Sequence, residues 1–156
     1  MSELKERLRT DLTTAIKARD TTATAALRMA LAAITTEEVA GKQARELTDE
    51  QVERVLAREV KMRKEAAEAF AGAGRREQAA AEVAEGEILN RYLPAQLDDA
   101  ELAELVAHAV EEVAAQLGER PGQRQMGQVM KAANATVAGR AEGSRVAAAV
   151  RALLQG

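Results

Sequence analysis

Few residues of this sequence can act as nucleophiles, acid–base catalysts or metal ligands. The chain has no cysteine, which excludes thiolate nucleophiles, disulfides and cysteine-bound zinc. Its one histidine, His108, stands between two alanines and has Glu104, Glu111 and Glu112 within about one helical turn. A catalytic zinc ion normally takes two or more nitrogen or sulfur ligands. We therefore predict a surface histidine that pairs with a nearby acid, and no metal site.

The serines, carboxylates and glycine-rich segments form no catalytic pattern either. Ser2 and Ser144 are the only serines, and neither has a histidine near it in the sequence, so a nucleophilic triad is not expected. Carboxylates such as Glu38 are interpreted as part of solvated, charged helix faces. The segments 72–75 and 139–143 match neither the GxGxxG nor the GxxxxGK[ST] pattern of nucleotide-binding loops. We predict no catalytic residue and no cofactor.

One pattern of basic side chains lies in a predicted helix over residues 49–71. Arg54, Arg58, Lys61 and Lys64 recur there at spacings of four, three and three, so they share one face of the helix. Several glutamates flank them. This arrangement favours a solvent-facing network of ion pairs over a binding site.

A second basic pattern lies at the C-terminal end of the chain. Residues 120–156 hold six basic side chains against one acidic side chain. Residues 95–119 hold seven acidic side chains and no basic one. The net charge of the whole chain, −3, therefore hides a basic segment joined to an acidic helix, and the basic segment is a candidate surface for a negatively charged partner.

The turn before the last predicted helix is the best candidate contact within that segment. Gly139 and Gly143 allow backbone N–H groups to approach a phosphate, and the positive end of the last helix is predicted to begin there. One Phe, one Tyr and no Trp leave little for base stacking, so RNA would be contacted through shape and backbone charge, with steep salt dependence. The candidate contacts on or beside this turn are Lys131, Gly139, Arg140 and Arg145.

Seven helices are predicted to position these residues. Apolar residues make up 47% of the chain and recur at helical spacing, and no useful length alternates with the two-residue period of a strand. Thr48 with Gln51, and Asp98 with Glu101, match the capping-box pattern of a helix start. We therefore expect an all-α fold. The predicted helices cover about 3–18, 22–39, 49–71, 75–93, 99–117, 124–136 and 143–154.

Pro94 marks the predicted boundary between two domains, because the residue before a proline is pushed away from helical backbone angles. We expect an N-terminal bundle of about four helices over residues 1–94 and a small three-helix domain over residues 95–156. Ile16, on the apolar stripe of the first helix, and Val83, in the fourth, are among the residues expected to face the core.

The sequence is interpreted as that of a cytoplasmic protein. Its first residues are charged and lack the apolar region of a signal peptide. No apolar run approaches the roughly 20 residues that a membrane-spanning helix needs.

Several motifs resemble those of the YqeY family, and together they cover nearly the whole chain. The Tyr-Leu-Pro-x-Gln-Leu and Met-Gly-x-Val-Met elements are specific in combination. The segments that carry the resemblance are LRMALAAI at 27–34, LTDEQV at 47–52, FAGAGR at 70–75, ILNRYLPAQL at 88–97, MGQVM at 126–130 and GRA at 139–141.

The resemblance implies a two-part helical protein similar to the C-terminal tail of the GatB subunit of glutamine-dependent tRNA amidotransferase. In that enzyme the tail contacts tRNA and the chemistry lies in other domains and subunits. The Met-Gly-x-Val-Met element adds Gln128 to the candidate nucleic-acid contacts. Relatives commonly carry lysine in the stretch before the glycine, whereas this chain has AANATVA at 132–138, which predicts a weaker basic surface.

Three functions follow as hypotheses. The first is a non-catalytic helical adaptor that binds tRNA, another RNA or a tRNA-processing protein. The second is a protein–protein interaction module whose basic end docks on an acidic partner. The third is a carbon–nitrogen ligase with glutamine as amide donor, which rests on the family label alone, because kinship of fold does not transfer activity.

Overall fold

The computed structural model describes residues 2–155, and within that range the regular elements are α-helices and one 3₁₀ turn (Gln123–Gln125), with no strand. The prediction of an all-α fold is confirmed. The helices are α1 (Glu3–Lys17), α2 (Thr21–Glu38), α3 (Asp49–Gly72), α4 (Arg76–Asn90), α5 (Asp99–Leu117), α6 (Met126–Val137) and α7 (Gly143–Gln155).

The chain divides between Leu93 and Pro94 into two compact units, the first with α1–α4 and the second with α5–α7. The expected boundary lay one residue later. The fourth helix was predicted to continue to residue 93, but α4 ends at Asn90. The N–H groups of Tyr92 and Leu93 donate to carbonyls only three residues back, so the chain leaves α4 through a tight turn before it reaches the proline.

Side-chain caps begin α1, α3 and α5. The Ser2 hydroxyl accepts from the Lys5 N–H at the start of α1 and donates to the Asp49 carboxylate at the start of α3. The two predicted capping boxes, at the starts of α3 and α5, are both formed. Each cap satisfies N–H groups that have no partner within their own helix.

The core of the first unit is built from aliphatic side chains of all four helices. Its fully buried large members are Leu8, Leu27, Ile34, Val52, Leu56 and Leu89. The Tyr92 hydroxyl, just after α4, donates to Asp11 on α1, and the Arg7 guanidinium lies 4.8 Å from the centre of the Tyr92 ring. These contacts tie the turn after α4 to α1.

Two residues predicted to face this core are exposed instead. Ile16 is 46% exposed and Val83 is 50% exposed. A stripe repeating every four residues drifts by about 40° per repeat around a helix of 3.6 residues per turn, so Ala15 takes the buried position near the end of α1. The buried positions of α4 are Gly86 and Leu89, on the face that packs against α3 and α2.

The core of the second unit is separate and consists mainly of valines. The helices α5, α6 and α7 each contact the other two. The buried apolar residues are Leu97, Leu102, Val106, Ala109, Val110, Val113, Val129, Ala133, Val137, Val146 and Val150. None of the helices formed by residues 2–155 has the length and apolar composition needed to cross a bilayer.

Candidate nucleic-acid interface

The predicted contact turn lies between α6 and α7 in the second unit. Two successive residues there adopt left-handed backbone angles, Ala138 with φ 50° and Gly139 with φ 79°. A Cβ added to Gly139 would meet no atom within 4 Å, so the backbone at this turn is open. Glycine is required by the positive φ and not by crowding.

Arg140 uses its side chain to cap α6. Its Nε donates to the Val137 carbonyl at 3.1 Å and its Nη2 to the Thr136 carbonyl at 3.3 Å. A cation suits the negative end of a helix, where the last carbonyls have no partner in the helix itself. The Arg140 carbonyl also accepts from the Leu97 N–H at 2.8 Å. Arg140 therefore stabilises the turn, with its half-buried guanidinium occupied by these bonds.

Arg145, in the first turn of α7, is also engaged within the unit. Its Nη2 donates to the Leu97 carbonyl and to the Asp99 carboxylate, both at 2.9 Å. The side chain is 33% exposed. Arg145 thus ties α7 to the segment that enters α5, and only part of its guanidinium faces solvent.

Three other cations of the second unit are exposed and have no ion pair or hydrogen bond with any residue that the structure describes: Arg124, Lys131 and Arg151. Lys131 was among the predicted contacts. Arg124, Gln128 and Lys131 follow spacings of four and three, so they lie on one side of the 3₁₀ turn and α6. The exposed Gln128 amide donates only a long bond, 3.4 Å, to Gln116. Arg124 and Arg151 were counted among the six basic residues of segment 120–156, but they were not predicted to contact nucleic acid.

The exposed face of α5 carries the opposite charge. The four glutamates of α5 are all exposed: Glu101, which belongs to the capping box, and Glu104, Glu111 and Glu112. His108 lies on the same face, with its Nδ1 3.8 Å from Glu111, and both side chains are well exposed. Across residues 2–155, no group of three or more His, Asp or Glu side chains is placed to hold a metal ion.

In the first unit, Glu38 is buried, which corrects its interpretation as part of a solvated face. Lys5 on α1 donates to both of its carboxylate oxygens, at 2.7 and 3.0 Å. This hydrogen bond, assisted by the Leu47 N–H, holds the pKa of Glu38 below its usual value despite burial. The pair fixes the end of α2 against α1.

A second buried charge in this unit is Arg63 on α3, which the sequence had not singled out. Its side chain is 7% exposed, and three carboxylates surround it: Glu59 at 3.3 Å, Glu85 at 3.4 Å and Glu82 at 3.7 Å. Gly86 lets α4 approach, since a Cβ there would lie 3.4 Å from the Arg63 Cβ. Burial, followed by the charge of Glu82, raises the pKa of Glu85.

Comparison with known protein families gives a match over most of the chain. The family model described as Yqey-like protein matches residues 5–154. No curated protein matches the chain. The matched range includes most of every helix, from α1 to α7, so the likeness covers both units.

Proposed function

The chain belongs to the YqeY family, and we propose that it is a non-catalytic adaptor that binds tRNA through the exposed cations of its second unit. The observation that carries this proposal is the presence of Arg124, Lys131 and Arg151 on the surface without a partner among the described residues. Free lysines and arginines are the groups that neutralise phosphates and so supply nucleic-acid affinity.

The arrangement of charge restricts how RNA approaches. The three helices of the second unit bury one side each in a shared core, so the exposed faces of α5, α6 and α7 point in different directions. The glutamates of α5 repel a phosphate backbone, whereas the free cations lie on the 3₁₀ turn, α6 and α7. RNA should therefore bind on the α6–α7 side, with contacts to backbone and shape and not to bases.

The predicted contacts take different roles in this proposal. Lys131 and Gln128 contact the RNA, and the open backbone at Gly139 allows a phosphate to come close. Arg140 and Arg145 hold the turn in place and add the part of their charge that remains exposed. Because the described part of the second unit has three free cations, binding should be modest, with a slope of log K against log salt of about −2 to −3.

A protein partner is the second candidate, and the acidic face of α5 favours it. Four exposed glutamates on one helix, opposite in charge to α6 and α7, make the second unit suitable for docking on another charged protein surface. Such binding would not require RNA. Competition between tRNA and the partner would show whether both use the same cations.

Fluorescence anisotropy of labelled bulk tRNA, over a salt series of about 50–200 mM, tests the first proposal. Lys131→Ala should weaken binding and reduce the magnitude of the slope by about 1. The matched control is Arg76→Ala, which removes an exposed arginine at the start of α4 that has no ion pair in the described part of the chain.

Absence of binding at low salt, with the protein folded, would contradict the proposal, and equal effects of the two substitutions would show that the site is misplaced. The proposal also assigns no amide transfer to this chain. Purified protein should release no ammonia from glutamine, and ammonia release that survives rigorous purification would support the carbon–nitrogen ligase hypothesis instead.

A further inference from the structure

The first unit contains a basic groove of about 500 Å³ that the RNA proposal does not use. It lies where the end of α2, the α2–α3 connection and the first turns of α3 meet. Three arginines and one acid line it, so these four side chains carry a net formal charge of +2. The charged lining residues are Arg45, Arg54, Arg58 and Glu37.

The floor of the groove is apolar. Leu47 and Val55 line it and are 2% and 3% exposed, respectively. The arginines are far more exposed, with Arg45 at 50% and Arg58 at 62% of their side chains. The groove therefore presents guanidinium groups at its rim above an apolar surface.

The α2–α3 connection is held rigidly enough to position Arg45. The Arg45 N–H donates to the Glu38 carbonyl at 3.0 Å, and the Leu47 N–H donates to the Glu38 carboxylate at 3.5 Å. Glu38 is itself bound by Lys5 of α1. Glu38, which is buried and ion-paired, thus holds the backbone N–H groups of both Arg45 and Leu47.

The groove has more cationic donors than its own acid can satisfy. Glu37 is shared between Arg58 at 3.3 Å and Arg45 at 3.9 Å. Arg54, one helical turn before Arg58, forms no hydrogen bond or ion pair within residues 2–155. The Gln51 side chain accepts from the Thr48 N–H through its Oε1, which leaves its amide N–H groups available to a ligand.

We propose that this groove binds the phosphate group of a small phosphorylated molecule. A phosphate monoester carries a charge of about −2 and three acceptor oxygens, which suits a net charge of +2 and several guanidinium forks. A lone carboxylate would leave one of these positive charges unmatched. The volume lies within the range of about 300–1,000 Å³ typical of small-molecule sites.

Amide NMR of the whole protein with three probes tests this inference. Adenosine monophosphate, which joins a phosphate to a ribose and a flat aromatic base, should give saturable shifts confined to the groove, around residues 45–58. Inorganic phosphate should shift a subset of the same amides at higher concentration. Adenosine should produce no saturable change, because it lacks the anionic group that the arginines bind.

Three variants sharpen the test. Arg54→Ala should weaken adenosine monophosphate binding by about tenfold, the scale of one charge-assisted hydrogen-bonded pair. Since Arg54 makes no internal bond, its loss should leave the rest of the spectrum unchanged. Glu37→Gln should tighten binding, because it releases Arg45 and Arg58 from a competing acid. Arg76→Ala, more than 15 residues along the chain from any groove residue, should have no effect.

Three results would overturn the inference. One is the absence of saturable shifts with either phosphate probe. Another is an equal effect of Arg54→Ala and Arg76→Ala, which would indicate general charge attraction. The third is perturbation of the groove by a short RNA oligonucleotide but not by adenosine monophosphate, which would make it part of an RNA surface. Because the groove lies in the first unit, its failure leaves the tRNA test on the second unit unaffected.

Discussion

Arg145 and Asp99 form an ion pair with 2.9 Å between nitrogen and oxygen, although 46 residues separate them in the chain. The same nitrogen donates to the Leu97 carbonyl. One side chain of the last helix therefore holds the segment through which the chain enters the second unit. A residue expected to contact RNA through its charge has an internal structural role.

Loss of this contact should destabilise the second unit. Arg145→Ala is expected to lower its free energy of unfolding by about 1–2 kcal/mol, because two charge-assisted bonds are lost at a partly exposed site. Urea denaturation measures the effect. The matched control on the same helix is Arg151→Ala, which should change stability by less than about 0.5 kcal/mol. Equal effects would show that the Arg145 contacts contribute nothing.

Substitutions at the two left-handed residues between α6 and α7 should change the stability of the protein in opposite directions. Gly139→Ala should destabilise by about 1 kcal/mol, because a Cβ disfavours φ 79° even where space is open. Ala138→Gly should stabilise by about 0.5 kcal/mol, since it relieves the same strain at φ 50° but loosens the unfolded chain. Thermal unfolding of both variants checks this, and a stabilising Gly139→Ala would contradict the assignment of strain.

Removing the buried Arg63 should be far more costly than removing an exposed cation of the same helix. Arg63→Met leaves three carboxylates close together without their cation and is expected to cost about 3–5 kcal/mol. The control, Lys64→Met, changes the next residue, which is exposed. Chemical denaturation compares the two variants, and similar losses would mean that the cluster does not stabilise the packing of α3 on α4.

Stability should also depend on the protonation of Glu85. Its pKa is raised in the folded state, first by burial and then by Glu82, and Arg63 only partly offsets this. The favourable contribution of protonated Glu85 is complete below its unfolded pKa and is lost as pH rises through its folded pKa. Glu85→Gln, which stays neutral, should therefore be more stable than the parent at neutral pH.

The difference in the free energy of unfolding between Glu85→Gln and the parent protein should disappear as the pH falls to about 4, where the Glu85 carboxyl of the parent is protonated as well. The urea midpoints of the two proteins at neutral pH and at about pH 4 measure this difference. Glu87→Gln, an exposed neighbour on α4, should show no comparable gain. A neutral-pH loss of stability in Glu85→Gln would show that the ion pair with Arg63 outweighs burial.

Much of the fold was predictable because the relevant signals are local. Thr48 and Gln51, or Asp98 and Glu101, lie three residues apart, and their capping boxes form as the sequence predicts. Helical spacing likewise predicted seven helices. The prediction that Ile16 faces the core was wrong, because a stripe of every fourth residue drifts around the helix. Only the packing partners of the helix determine where along the stripe burial ends.

The site was less predictable because its decisive contacts are distant in sequence. Nothing near Arg145 in the sequence shows that its guanidinium group is occupied by the Leu97 carbonyl and by Asp99. Arg63 stands among exposed lysines and arginines, and its burial depends on Gly86 and the glutamates of another helix. Composition located the basic segment, but tertiary contacts determine which of its cations remain free.

The most direct test of the proposed function removes all three free cations of the second unit together. The variant Arg124→Ala, Lys131→Ala, Arg151→Ala keeps Arg140 and Arg145, so the turn should stay folded. Titration with tRNA over a salt series should show weak binding and a slope much smaller in magnitude than the value of about −2 to −3 for the parent protein and for Arg76→Ala. A triple variant that binds tRNA with the parent affinity and slope would contradict the proposal that these cations form the RNA surface.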